Sequence, residues 1–352
     1  MESRPRSRSK MNPPIILLLL FFLLFSILLS VMIGSVRLPF DLTGKILLSH
    51  LPFFHIEPAW TQAQETIVWQ LRLPRVCLAL LVGAMLSSAG VSFQGILRNP
   101  LADPYILGIS VGAAFGAAAS ILFFSHTAYM GHFLSRFSLP LFSFLGGLLS
   151  LAFVLTLAKH EGQHDRETLI LAGVVVQSLI GAFLSFMIAV SGQQMQEIVF
   201  WMMGSLANRS WSDVALLVPY FIIGILYLLL QARDLNIISL GERAAMHLGM
   251  NVEKKKVGIL VMGSLLTSAA VSVVGIIGFV GLIVPHLVRL VVGPDHRVLL
   301  PVSTLVGAIF LLWSDTLART LLASREIPIG VITAFVGAPF FAYLLKRGLR
   351  RG

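Results

Sequence analysis

Apolar runs of about 20 residues, broken by short polar turns, recur along the whole chain. Each is long enough, as a helix, to cross a hydrocarbon core of about 30 Å. The pattern predicts ten membrane-spanning helices, at 14–35, 75–96, 105–124, 139–158, 168–190, 213–232, 257–275, 278–292, 299–317 and 328–346. The first run follows Arg4, Arg6, Arg8 and Lys10. It exceeds a signal-peptide core and lacks a small-residue cleavage site, so it reads as a retained span. The expected fold class is an all-α polytopic membrane protein, with a basic tail at 1–13 and one transmembrane domain at 14–352.

The longest polar interruption between two apolar runs is 234–256. Ser239 and Glu242 have the spacing of a capping box. Leu240, Ala244, Ala245 and Leu248 then fall on one helical face. Gly249 suits a left-handed helix end, and Asn251 can cap the next helix. The pattern predicts a short capped helix over 239–249 with an apolar stripe outside the bilayer, which suits a docking element for a partner.

Composition sharpens this picture. The 352 residues are 57% hydrophobic and 12% charged, about half the charge of a soluble domain. The net charge of +10 could suggest nucleic acid, but the basic residues lie at the ends of apolar runs. Roughly two thirds of the 26 Lys and Arg fall on the side of the termini, which predicts that both termini are cytoplasmic. One cysteine, Cys77, excludes an internal disulfide.

Few residues suggest chemistry. There is no GxxxxGK[ST] run and hence no nucleotide loop. His160, His164 and Asp165 read as a solvated loop rather than a metal site, and His286 after Pro285 as a side chain satisfied at a kink. Asp315 lies inside a predicted span, where an acid defaults to function; a pair with Arg319 one turn away explains it equally well. Gly108, Gly112 and Gly116, and again Gly275, Gly278 and Gly281, suit close helix packing. The segment 193–205 reads as a short amphipathic helix on the outer side, and 36–66 as an ordered outer loop.

Several motifs occur in family order: Arg72-Leu-Pro-Arg75, Arg98-Asn-Pro-Leu-Ala-Asp-Pro104, Gly241-Glu-Arg-Ala-Ala, Leu248-Gly249, the run from Gly275 to Arg289, Asp295-His-Arg297, Asp315 to Arg319, and Glu326-Ile-Pro-Ile-Gly330. From about residue 65 onward the chain resembles the FecCD-type permeases, the membrane subunits of type II ABC importers for ferric siderophores, haem and cobalamin. The resemblance implies a homodimer or pseudo-dimer of ten-helix subunits in a bacterial inner membrane. It also implies two ATPase subunits below and a substrate-binding protein above. It implies no cofactor or metal on this chain; ATP and Mg are used by the ATPase.

By position, Leu240, Gly241, Glu242, Ala244, Ala245, Leu248 and Gly249 resemble the coupling helix that meets the ATPase. Asn99 and Leu101 resemble one part of the cytoplasmic gate, and Arg166 and Glu167 occupy the other. The family's cobalamin member has small hydroxyl residues at that second position. Arg72, Arg75 and Arg319 resemble the arginines that dock the binding protein. Ferric siderophore is the expected ligand, ahead of cobalamin and haem. A self-sufficient secondary carrier or a membrane receptor is the alternative, and it has no need of a docking helix.

Overall fold

The computed structural model describes residues 13–34, 36, 38–50, 56–124, 132–160, 163–322 and 326–349. The basic tail lies outside them except for Pro13. Apart from a short hairpin in which 159–160 pair antiparallel with 163–164, the described chain is helical almost throughout. It opens with α1 (Pro13–Met32) and α2 (Phe40–Ser49), then α3 (Gln62–Glu65), a π-helical stretch Thr66–Arg72 and α4 (Leu73–Ile96), which run on as one rod. Next come α5 (Ile109–Phe124), α6 (His132–Ala158), α7 (Arg166–Val190), α8 (Met195–Met202) and α9 (Trp211–Leu230). Two short helices follow, α10 (Ala232–Leu240) and α11 (Glu242–His247), before α12 (Val252–Val274), α13 (Val280–Val292), α14 (His296–Ala318) and α15 (Ile329–Leu349).

All ten predicted spans correspond to helices. Among the described residues seven are long and apolar enough to cross a membrane, and Ile109–Phe123, Val280–Val292 and Ile329–Tyr343 are shorter apolar helices. The second span begins earlier than predicted, because Gln62–Ile96 is continuous. Thr61 starts it with a capping box, accepting from the Gln64 N–H at 3.3 Å while the Gln64 amide oxygen accepts from the Thr61 N–H at 2.9 Å. Pro74 lacks an N–H to give to the preceding turn. The rod widens just before it, where the Leu73 N–H reaches back five residues to Val68 O. The 36–66 segment therefore holds two short helices rather than a loop. Beside it, His50 stacks on Trp69 at 3.8 Å.

The core is organised around α4, whose residues from Val82 to Ile96 are all buried. A helix surrounded on every side in a membrane protein needs small side chains and satisfied hydroxyls. Ser87 Oγ donates to Ser303 O at 2.7 Å on α14, and Ser88 Oγ bonds Thr304 Oγ1 at 2.8 Å. The predicted glycine packing holds for Gly112 and Gly116, which meet the Gly146 and Phe142 carbonyls of α6. In the second series Gly275 and Gly281 are packed, but Gly278 has no atom within 4 Å of where a Cβ would be.

The contrast can be tested. A Cβ on Gly90 would lie 1.9 Å from Gly281 O, and backbone cannot yield as a flexible side chain can. Gly90→Ala should cost at least about 1–3 kcal/mol, the usual range for overpacking. Gly278→Ala should leave the thermal midpoint in detergent unchanged. Equal midpoints for the two variants would count against this packing.

Candidate functional site

α1 ends beside Arg72 and the residues leading into α15 meet Arg75, so α1 starts and α15 finishes at the other end of the bundle, called here the terminal face. The turn after α4, the link between α6 and α7, α10–α11 and the start of α14 share it. Arg72, Arg75 and Arg319 lie on the opposite face.

On the terminal face the predicted capped helix is present but differently built. Ser239 is not its cap. Its hydroxyl donates to Leu235 O at 2.8 Å, inside α10. The break falls at Gly241, with φ 128° and ψ 145°, a conformation open to glycine and strained for other residues. The polypeptide can therefore leave α10 and restart as α11 within one residue. The far end follows the prediction. Gly249 has φ 80°, its N–H reaches Met246 O, and the Met250 N–H reaches Ala245 O at 3.1 Å, the paired bonds of a Schellman ending. Asn251 Oδ1 accepts from the Lys254 N–H at 3.0 Å and starts α12. The stripe is split as well. Leu240 is 71% exposed, and Ala244 and Leu248 are also exposed, whereas Ala245 is fully buried. A one-residue step on a helix turns the side chain by about 100°, so Ala245 holds the element to the bundle while the other three face outward.

The turn after α4 is rigid. Asn99 Oδ1 accepts from the Leu101 N–H at 2.9 Å, and the Ala102 N–H bonds Asn99 O at 3.0 Å. Leu101 projects outward. Asp103 is buried and accepts from the Tyr105 N–H at 2.9 Å. Burial pushes its carboxyl up to about 7. The turn also adjoins α11, for a Cβ on Gly241 would stand 3.8 Å from Arg98 Nη1.

Arg166 opens α7 and meets the first residue of α11, with Nε 3.6 Å from Glu242 Oε1; Glu167 is exposed. One carboxylate thus joins a candidate coupling residue to a candidate gate residue. Lys256 Nζ lies 3.0 Å from the same Glu242 oxygen. The reading of His164 as a solvated loop residue is corrected: it is buried, and its ring contacts Glu253 through Nδ1 and Leu155 O through Nε2. Asn236 on α10 holds the start of α14, giving Nδ2–H to Asp295 Oδ1 at 2.7 Å and accepting from the His296 N–H at 2.8 Å. Hydrogen bonds from the Arg297 side chain are the main reason the Asp295 carboxyl titrates well below the usual carboxylate range.

On the opposite face the three predicted docking arginines come together, but they are not free forks. Arg72 donates to the Val31, Met32 and Val36 carbonyls at the end of α1. A cation there meets the unpaired carbonyls and the negative end of the helix dipole. Arg75 grips Asp315 with Nε and Nη2, the latter 2.8 Å from Oδ1, and reaches Glu326 Oε1 at 2.9 Å. Arg319 donates to Ser30 O and Ser30 Oγ. Asp315 therefore takes its main partner from α4, while Arg319 Nε stands 3.7 Å from it. A cavity of about 410 Å³ is lined by these three arginines together with Asn208, Arg209 and Glu326.

A second cavity, of about 810 Å³ and almost wholly apolar, is lined by Met202, Met203, Gly278, Phe279, Val331 and Phe335 among others. This is why Gly278 packs on nothing. Met195–Met202 is the short helix predicted within 193–205. His286 is not satisfied at a kink as predicted, since its Nδ1 has no hydrogen-bond partner among the described residues and its ring lies 6.2 Å from that of Phe340.

Lys256, Glu253 and Asn236 were missed as candidates. For Lys256 a signal existed, because it continues the buried stripe Val252, Ile259, Leu260, Gly263 of α12 and so cannot point to water. For Asn236 no local pattern marks the partner.

The chain is 44% identical over 341 residues to the ABC transporter permease protein YvrB of Bacillus subtilis (strain 168), covering 94% of this chain and 93% of that one. It is 45% identical to the cobalamin import system permease protein BtuC of Halobacterium salinarum, covering 81% and 74%. It is 41% identical to the hemin transport system permease protein HmuU of Yersinia pestis, covering 82% and 86%. Among solved structures it resembles an inward-facing metal-chelate type ABC transporter with a TM-score of 0.81 and 34% identity, over 96% of this chain and 100% of that one. With the FecCD transport family model matching residues 22–347, this multi-pass membrane protein belongs to the FecCD transport family.

Proposed function

We propose that this permease works as a homodimer with two ATPase subunits on its terminal face and a substrate-binding protein on the opposite face, in a bacterial inner membrane with both termini cytoplasmic. The observation that carries this is α10–α11, a braced element outside the spans whose Leu240, Ala244 and Leu248 face outward. A carrier driven by an ion gradient has no use for such a surface. ATP and Mg belong to the partner. The 99–101 turn, with Arg166 and Glu167, forms the gate. The arginine-lined cavity receives carboxylates of the binding protein, whose attraction to its guanidinium charges chiefly speeds and orients encounter.

The ligand is a ferric siderophore, with cobalamin and haem as the nearest alternatives. The apolar cavity between α8, α13 and α15, faced by the second subunit, suits a bulky ligand whose metal stays inside its chelator. Relatives named for cobalamin and hemin import support this class. The test is uptake into vesicles holding the complete complex, offered a labelled ferric hydroxamate, cobalamin and hemin separately. ATP-dependent uptake of the ferric hydroxamate is expected. Uptake by the permease alone under a proton or sodium gradient would establish a secondary carrier instead.

A further inference from the structure

We infer that Lys256 is a positioning residue that carries movement of α11 to the start of α7. This rests on the reading of α11 as the element that meets the ATPase. Lys256 is the one lysine among the described residues that is buried, at 1% exposure, and no step proposed above uses its charge. Its Nζ lies 2.7 Å from His164 O, 3.0 Å from Glu242 Oε1 and 3.9 Å from Glu253 Oε2. These partners belong to three separate pieces of chain: the hairpin that leads into α7, the first residue of α11, and α12 itself.

The hairpin is fixed to α12 a second time, because the His164 N–H donates to Glu253 Oε2 at 3.2 Å and its ring contacts Oε1. Arg166 adds its contact to Glu242 from the first residue of α7. Two cations and two carboxylates thus close a loop around one buried ammonium. Stripping a buried charge of its partner costs far more than rearranging a solvated pair. When α11 shifts, Glu242 therefore brings Lys256, and with it the hairpin and α7, or leaves the ammonium with the more distant Glu253 as its one carboxylate. Lys255, whose ammonium pairs with Asp234 at 2.7 Å but is 40% exposed, lies outside this constraint because water can replace its partner.

The test reads nucleotide-dependent maleimide labelling of Glu167→Cys in the permease–ATPase complex, with ATP-driven uptake measured alongside. With Lys256 present, nucleotide should change the labelling rate about tenfold, within the usual range of coupling between sites. Lys256→Met keeps the length of the side chain and removes its charge, and should abolish the response. Lys256→Arg should restore it, which a merely space-filling role would not require. A nucleotide response that persists in Lys256→Met overturns the inference, as does its absence in the protein with Lys256 intact. Where Lys256→Met fails to assemble, Arg166→Gln, Glu242→Gln and their combination decide. A double variant no worse than the worse single supports one shared path, and additive losses overturn it. Wild-type uptake that proceeds without ATP overturns the importer reading itself, and normal ATP-driven uptake beside an unchanged Lys256→Met overturns this inference alone.

Discussion

Arg75→Leu is expected to destabilise the folded protein by about 3–5 kcal/mol, the cost of leaving a buried charge without its partner. Asp315 is completely buried and accepts three of its hydrogen bonds from Arg75. Arg319 can take over only in part, because its Nη2 is engaged with Ser30 and only its Nε, 3.7 Å from Oδ2, faces Asp315. The double variant Arg75→Leu, Asp315→Leu should recover most of the loss, since replacing both members of a buried pair with apolar groups is often close to neutral. Unfolding in detergent, followed by helical signal, measures both. A single variant as mild as the double would show that Asp315 finds another partner.

The second large effect separates two neighbouring alanines. Ala244→Arg should leave a folded permease but reduce ATP-driven uptake by roughly thirtyfold or more, the size of an interface change of about 2 kcal/mol. The new side chain projects from the outward face of α11 into the surface offered to the ATPase. Ala245→Arg should instead prevent folding, because that Cβ is fully buried against the bundle and a side chain of that size has no room there. Monodispersity on a sizing column distinguishes the outcomes. Full uptake with Ala244→Arg would remove α11 from the ATPase interface.

The spans were legible because a twenty-residue apolar run has few alternatives. The end of α11 was legible too, since Gly249 and Asn251 act on their own neighbours. Ser239 misled because a hydroxyl can cap the helix ahead or bond the turn behind, and only the positive-φ break at Gly241 decides. The partners of Asp315 were half legible: the pair with Arg319 is present at 3.7 Å, but the stronger partner was not foreseen. Local spacing offered Arg319, whereas the helix packing supplied Arg75 from 240 residues away. The candidate residues of the coupling element and gate could be named one by one from the sequence. That Glu242 joins them could not, because the contact depends on a hairpin folding back onto α12.

The clamps at the end of α1 have a consequence for biogenesis. The first helix is apolar almost throughout and little of it is covered by the rest of the chain, so little besides its far end fixes it in place. There Ser30 bonds Thr316, 286 residues later, and Arg319 grips the same serine. A ribosome adding about 5–20 residues per second needs roughly 15–60 s to make that intervening stretch. Throughout that interval α1 is tethered at that end by Arg72, and its latch to α14 waits. A helix near the start of the chain is thus among the last to be fully locked.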